Sequence, residues 1–257
     1  MRTTVSGEDQ YPTAGTPAGA GSAGTFEEAW SRAAGVPGWL TEAQGRRLWE
    51  ETISLGRGSH VLEIGSHRGR STLVLAAAIC SHGPGGRLTA VDAFVPGPRY
   101  GGQLARTALE RNLRAAGLEG HVTVVASRSS EVRQTWHEPV DLVWVDGKHD
   151  FWTCSDDLKW ARQLPSGGHL LVHDAFSSIG VTTALLVHVL PSRRLRLVDR
   201  VGSLATLEVG SPDWGDRLRF VRQLPWWLRN IVVKVLLRLR MHSLTRVLGH
   251  HGPDDPY

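Results

Sequence analysis

Two segments carry the residue types best suited to chemistry. One is Val143-Trp144-Val145-Asp146-Gly147-Lys148-His149; the other runs from Pro165 through Gly167-Gly168 to Val172-His173-Asp174. Each reads as a short apolar strand that ends in an acid with a histidine close by. Adjacent strands of a parallel sheet lie about 4.8 Å apart. Asp146, His149, His173 and Asp174 can therefore meet at one sheet edge. An alcohol oxygen is a poor nucleophile at neutral pH because it keeps its proton. A divalent cation lowers the pKa of a bound oxygen by several units, for water from about 15.7 to about 7 at best. Carboxylates suit Mg²⁺, histidine suits a softer ion such as Mn²⁺, and a nearby imidazole can take up the proton. Plainer readings stay open: His173 as a buried, hydrogen-bonded histidine or a neighbour of the ligands, Asp157 as a solvated helix charge, and Asp150 as a helix N-cap.

A second constellation precedes these. Val61-Leu62-Glu63-Ile64-Gly65-Ser66-His67-Arg68-Gly69-Arg70-Ser71-Thr72 reads as a strand, a glycine turn and a helix start. Gly65 can adopt positive φ and admit a ligand to the backbone, and Ser71 or Thr72 can accept amide hydrogen bonds in the first helical turn. Glu63 is an acid in an apolar strand, where a charge needs a partner. Asp92 ends the next strand and can accept from both hydroxyls of an adenosine ribose. The phosphate-binding Gly-x-x-x-x-Gly-Lys-Ser/Thr and Gly-x-Gly-x-x-Gly patterns are absent. A cofactor bearing a cationic sulfonium suits so acidic a site better than one bearing phosphates. His67 reads either as a solvated loop residue or as one facing substrate.

These residues need a scaffold. Apolar runs predict parallel strands at His60–Ile64, Leu88–Asp92, Val122–Ala126, Asp141–Val145 and His169–His173. Helix-length segments Ser71–Cys80, Gln103–Ala116, Ser129–Trp136, Phe151–Gln163 and Ser177–Val189 alternate with them. Leu195–Asp199 and Leu204–Val209 read as a closing hairpin that brings an antiparallel strand into the sheet. The expected fold is α/β: a Rossmann-like three-layer sandwich around a mostly parallel seven-stranded sheet. Around it, residues 1–24 read as a disordered tail poor in anything to bury. Residues 25–56 read as two helices, near Phe26–Ala34 and Thr41–Leu55, with Thr41 as a cap. The core spans 57–210 and a basic helical extension spans 211–257.

Glu63-Ile64-Gly65-Ser66, Gly69-Arg70-Ser71-Thr72 and Asp92 resemble the first two cofactor-binding motifs of class I S-adenosylmethionine (SAM)-dependent methyltransferases. The resemblance implies that Gly65, Ser66 and their neighbours Glu63, Gly69 and Ser71 line the methionine part of SAM. It also implies that Asp92 holds the ribose, that Ser127 lies by the adenine, and that Asp146 borders the cofactor. Asp146-Gly147-Lys148-His149 with His173-Asp174 resembles a metal-dependent O-methyltransferase subgroup acting on sugars of macrolides and bacterial glycosides. By that likeness Asp146 and Asp174 match metal ligands and His149 the general base. The likeness covers about Gly58 to Val209. Some relatives carry two adjacent acids where this chain has His173-Asp174, so His173 enters the candidate ligand set with Mg²⁺ or Mn²⁺ as the ion.

The implied activity is methyl transfer to a hydroxyl of a glycoside or oligosaccharide. Two alternatives are a metal-independent methyltransferase of small phenols or polyketides and a non-catalytic SAM-fold partner protein. The net charge of +4 is too small to argue for nucleic acid, and there is no base-extruding Asn-Pro-Pro-Tyr motif. Cys80 and Cys154 have no metal spacing, no long apolar run spans a membrane, and no secretory leader is evident; the expected compartment is the cytoplasm. Among ten tryptophans, Trp136, Trp152 and Trp160 are core candidates that could also stack on a sugar. Tyr100 falls in a loop that reads as a lid or as plain surface. Residues 226–248 read as a basic amphipathic helix, with Ile231, Val235, Leu239 and His242 near one face. It would pack on its own domain or on a sister subunit in a homodimer, rest on a membrane surface, or bind an acidic partner.

Overall fold

The structure, a computed structural model, describes residues 24–251 except Pro84 and residues 98–100. The tail expected over 1–24 therefore lies, but for Gly24, outside the described residues, as does Tyr100.

Seven strands form one sheet: β1 (His60–Ile64), β2 (Arg87–Asp92), β3 (Val122–Ala126), β4 (Leu142–Val145), β5 (His169–Val172), β6 (Leu195–Val201) and β7 (Leu204–Val209). Their order is β3-β2-β1-β4-β5-β7-β6. Strands β1 to β5 pair in parallel, and β7 runs antiparallel to both β5 and β6. The expected Rossmann-like architecture is present. The hairpin turn is tighter than the sequence suggests: only Gly202 and Ser203 join β6 to β7. The order reverses between β1 and β4, and open α/β sheets bind ligands at the carboxyl ends of such a pair.

Along each central strand the side chains alternate between two cores. Val61, Leu142, Trp144 and Leu171 face one layer. That layer holds α1 (Phe26–Ala33), α2 (Glu42–Ile53), α3 (Arg70–Ser81) and α4 (Gly102–Ala116). Leu62, Ile64, Val143, Val145, Leu170 and Val172 face the other. There lie α5 (Ser129–Gln134), α6 (Phe151–Asp157), a 3-10 segment Leu158–Gln163, and α7 (Ile179–His188). Thr41 caps α2 as expected, in a capping box with Gln44. Asp150 caps α6, accepting from the Thr153 amide at 3.0 Å.

The C-terminal extension differs from the single helix expected. It comprises α8 (Trp214–Val221), α9 (Leu224–Arg238) and α10 (His242–Val247). Asp213 caps α8, and Pro225 opens α9 as anticipated. The chain breaks after α9, where Arg240 takes φ +59°.

Candidate active site

The ends of β2, β1, β4 and β5 are level because ladder hydrogen bonds continue one residue beyond them. The Gly65 amide donates to Val91 O at 2.8 Å, the Asp146 amide to Ile64 O at 2.8 Å and the His173 amide to Val145 O at 2.9 Å. Gly65 sits at φ +93°, and a Cβ there would lie 2.2 Å from Asp146 O. Only glycine lets the β1 and β4 ends approach this closely. His67, Phe94, Asp174 and Phe176 all take positive φ without being glycine. Strained backbone thus gathers just past β1, β2 and β5, where binding sites concentrate such conformations.

In the glycine loop, Glu63 is fully buried and points beneath the loop. It accepts from Ser71 Oγ at 2.5 Å and Thr72 Oγ1 at 2.6 Å. Burial pushes its carboxyl up to about 7, against the pull of those two hydroxyls. Glu63 and Ser71 therefore join β1 to the start of α3. Ser66 Oγ is buried without a hydrogen-bond partner among the described residues. Gly69 is the left-handed residue that opens α3. Asp92 accepts from the His67 amide at 2.8 Å and the Phe94 amide at 2.7 Å, tying the β1 and β2 loops together. Each carboxylate oxygen keeps a further lone pair for a ligand hydroxyl. Ser127, half-buried past β3, donates to Glu131 at 2.7 Å.

The acid-histidine cluster forms as its spacing predicts. His149 Nδ1 lies 2.7 Å from Asp174 Oδ2, and His149 Nε2 lies 3.4 Å from Asp146 Oδ1. His173 Nδ1 lies 3.1 Å from Asp146 Oδ1 and 3.9 Å from Asp174 Oδ1. Burial alone would raise the Asp146 carboxyl, but the two imidazoles outweigh it and hold it at about 2. Burial would likewise strip His149 of its proton; the Asp146 and Asp174 carboxylates reverse this and push it up to about 10. His173 is also raised, burial being overcome by Asp146 and then Asp174. Asp174 is lowered, because the His149 hydrogen bond and the two imidazoles outweigh its burial. With protons alone on the cluster, His149 is thus an imidazolium between two carboxylates rather than a free base at neutral pH.

The donor geometry suits a cation. One ligand atom each from Asp146, His149 and His173 lie within 4.8 Å of one another. The remaining oxygen of Asp174, Oδ1, is buried and accepts no hydrogen bond among the described residues. A set that mixes carboxylate oxygen with imidazole nitrogen favours Mn²⁺ or another transition ion over Mg²⁺.

Several supporting residues had little or no sequence signal. Gln44 Oε1 lies 3.3 Å from His173 Nε2, while Gln44 Nε2 donates to Ser203 Oγ at 3.0 Å. Only its capping spacing after Thr41 was visible in the sequence. The His149 backbone is held from α7: Ser178 Oγ donates to His149 O at 3.2 Å, and a Cβ on Gly180 would lie 2.5 Å from that same oxygen. Arg70 donates to Gly38 O at 2.9 Å and fixes the segment bearing Trp39. Trp39 is 57% exposed, with its ring 6.1 Å from that of His67. His67 is half-buried rather than freely solvated.

One plain reading is corrected, and for two tryptophans the core reading holds over the sugar-stacking one. Asp157 is not a solvated helix charge: it is 1% exposed, accepts from Ser129 Oγ, and is pushed up to about 7 by burial. Trp136 and Trp160 do not border the site. Trp160 is fully buried, and Trp136 packs between it and His60, at the amino end of β1. Trp152, at the start of α6, is 80% exposed.

Residues 62–175 match the family model described as "Methyltransferase domain". These residues are similar to a methyltransferase domain. The match runs from β1 to the residue after Asp174 and so includes every candidate catalytic and metal-ligating side chain. Solved structures share the fold of this chain at low identity. An SAH-bound methyltransferase of Podospora anserina is 16% identical over 73% of this chain and 88% of its own, with a TM-score of 0.56. An O-methyltransferase of Bacillus cereus in complex with SAH is 20% identical over 72% and 90%, with a TM-score of 0.52. The O-methyltransferase TomG of Streptomyces achromogenes, described as involved in tomaymycin synthesis and solved with SAM, is 18% identical over 72% and 89%, with a TM-score of 0.52.

Proposed function

We propose that this methyltransferase is a SAM-dependent O-methyltransferase that alkylates a sugar hydroxyl with the help of a divalent transition ion. One observation carries the reading: Asp92, suited to a ribose, shares a sheet edge and its switch point with the Asp146, His149, His173 and Asp174 cluster. The SAH- and SAM-bound neighbours lend support to the cofactor.

When bound, SAM would supply an electrophilic methyl group on its sulfonium, and a divalent cation would supply charge that makes an acceptor hydroxyl more acidic. Asp92 would accept the ribose hydroxyls with its spare lone pairs. Gly65 and Ser66 line the approach to the backbone, and the acidic surroundings favour a cationic sulfonium. Asp146, His173 and Asp174 would hold the cation. Asp174 Oδ2 keeps the His149 Nδ1 proton in place, so His149 Nε2 receives the acceptor's proton. This base exists only when positive charge on Asp146 and Asp174 lowers the His149 pKa from its cation-free value of about 10. Trp39 and Trp152, both exposed, offer aromatic faces to a sugar ring.

With protons alone the His149 imidazolium already bridges the Asp146 and Asp174 carboxylates, which favours a second reading as a metal-independent O-methyltransferase. The test is transfer of labelled methyl from SAM to a panel of mannosides, rhamnosides, macrolide sugars and phenols, with Mn²⁺ and after exhaustive EDTA treatment. Transfer to glycosides that requires Mn²⁺ is expected. Undiminished transfer in EDTA selects the second reading, and absence of SAM binding by calorimetry removes both.

A further inference from the structure

The helix α9 is apolar on two opposite faces, and the domain covers only one. Asn230 and Val233 are buried; Asn230 Nδ2 donates to Phe176 O at 3.1 Å, and Trp226 and Trp227 pack against the core. On the other side Leu228, Val232, Val235 and Leu239 are 57%, 48%, 50% and 63% exposed. Their spacing of four, three and four residues makes one continuous stripe along the helix and its C-cap. The stripe expected through Ile231 and His242 is thus displaced: Val235 and Leu239 belong to it, and they face outward.

The charge around this stripe is one-sided. From Arg217 to His251 the chain has eight Lys and Arg residues and no Asp or Glu. Arg222, Arg238 and Arg240 are exposed beside or beyond α9. Burying apolar side chains favours contact, and the surrounding charge selects the partner. A second copy docking through the same face would set one basic surface against another, which Coulomb repulsion opposes. The stripe also stands out on a convex helix surface rather than in a groove, a shape suited to an extended, deformable partner. Among the described residues no helix is long and apolar enough to cross a membrane.

We propose that α9 lies in the interface of an anionic lipid surface, with Leu228, Val232, Val235 and Leu239 among the acyl chains and the flanking arginines at the headgroups. This would bring the methyltransferase to lipid-borne acceptors, but the docking stands whatever the acceptor is.

The test is co-sedimentation of the full chain with phosphatidylcholine vesicles, with and without phosphatidylglycerol. Binding to the anionic vesicles alone, weakening as salt rises, is expected. Leu228→Asp with Leu239→Asp should weaken partitioning by about tenfold or more, at unchanged melting temperature because both sites are exposed. Arg238→Gln with Arg240→Gln, which leaves the stripe intact, should weaken it less and flatten the salt dependence. Failure to bind phosphatidylglycerol vesicles overturns the proposal, as does equal binding by the Leu228→Asp, Leu239→Asp variant. A doubled mass in light scattering that this variant abolishes, with no vesicle binding, would instead assign the face to a second copy and equally overturn it.

Discussion

Gln44 and His173 are 129 residues apart in sequence, yet Gln44 Oε1 lies 3.3 Å from His173 Nε2. A carbonyl oxygen can only accept, so it calls for a proton on Nε2 and leaves Nδ1 to face Asp146. Metal-binding histidines are held in the same way, by an acceptor at the far ring nitrogen.

Gln44→Leu should therefore weaken Mn²⁺ binding by about 10- to 100-fold, read by titration calorimetry. Gln44→Glu keeps an acceptor toward His173 and should recover much of the affinity. If both variants bind Mn²⁺ like the parent, Gln44 does not orient His173.

Gly65→Ala meets two obstacles at once, positive φ and a Cβ contact of 2.2 Å with Asp146 O. The β1 and β4 ends must separate to admit it. The expected cost is about 2–4 kcal/mol in denaturant unfolding, with loss of SAM binding. A variant within about 0.5 kcal/mol of the parent would show that the two strand ends tolerate separation.

Stability should decline as pH rises from acid to alkaline. Asp157 has its folded pKa raised from 3.8 to about 7, so the native state holds a proton that the unfolded chain has released. Stability falls across that interval by at most about 4 kcal/mol and is level above it. His149 is raised from 6.5 to about 10, so its contribution is complete below pH 6.5 and is lost through about pH 10. Urea midpoints at pH 5.5 should exceed those at pH 8.5. Asp157→Asn should flatten the acid part of the profile and His149→Gln the alkaline part; unchanged slopes would contradict these placements.

Replacing His149 tests the chemistry itself. His149→Ala should lower kcat by about 10²- to 10⁴-fold while leaving the calorimetric affinity for SAM within about threefold. Full turnover in this variant would move the base elsewhere.

Trp39→Ala should raise the acceptor KM by about three- to tenfold without changing SAM affinity. An unaltered KM would take Trp39 out of the acceptor site.

Much of this was legible in the sequence because apolar strands buried on both faces announce themselves. β1, buried along its whole length, has the bounds its apolar run predicts, and so does the half-covered edge strand β3. The acid and histidine positions followed from strand ends that lie in register. What stayed hidden depends on contacts between distant segments. Gln44 carries only a local capping signal, and nothing local tells that its amide also bridges His173 and Ser203. The burial of Asp157 results from α5 closing over α6 through Ser129. The helix expected over 226–248 divides into α9 and α10 because a left-handed residue, Arg240, interrupts a pattern whose composition alone would continue.

The bridge from Gln44 to Ser203 also has a temporal consequence. Ser203 belongs to the last hairpin of the sheet, whereas every candidate reactive group has been synthesised once Asp174 is in place. A chain still emerging, or cut soon after Asp174, holds the acids and imidazoles but lacks the turn that secures Gln44 behind His173. The catalytic apparatus is thus completed only when nearly the whole domain has been made, so a partly built protein holds the parts without the arrangement that aims them.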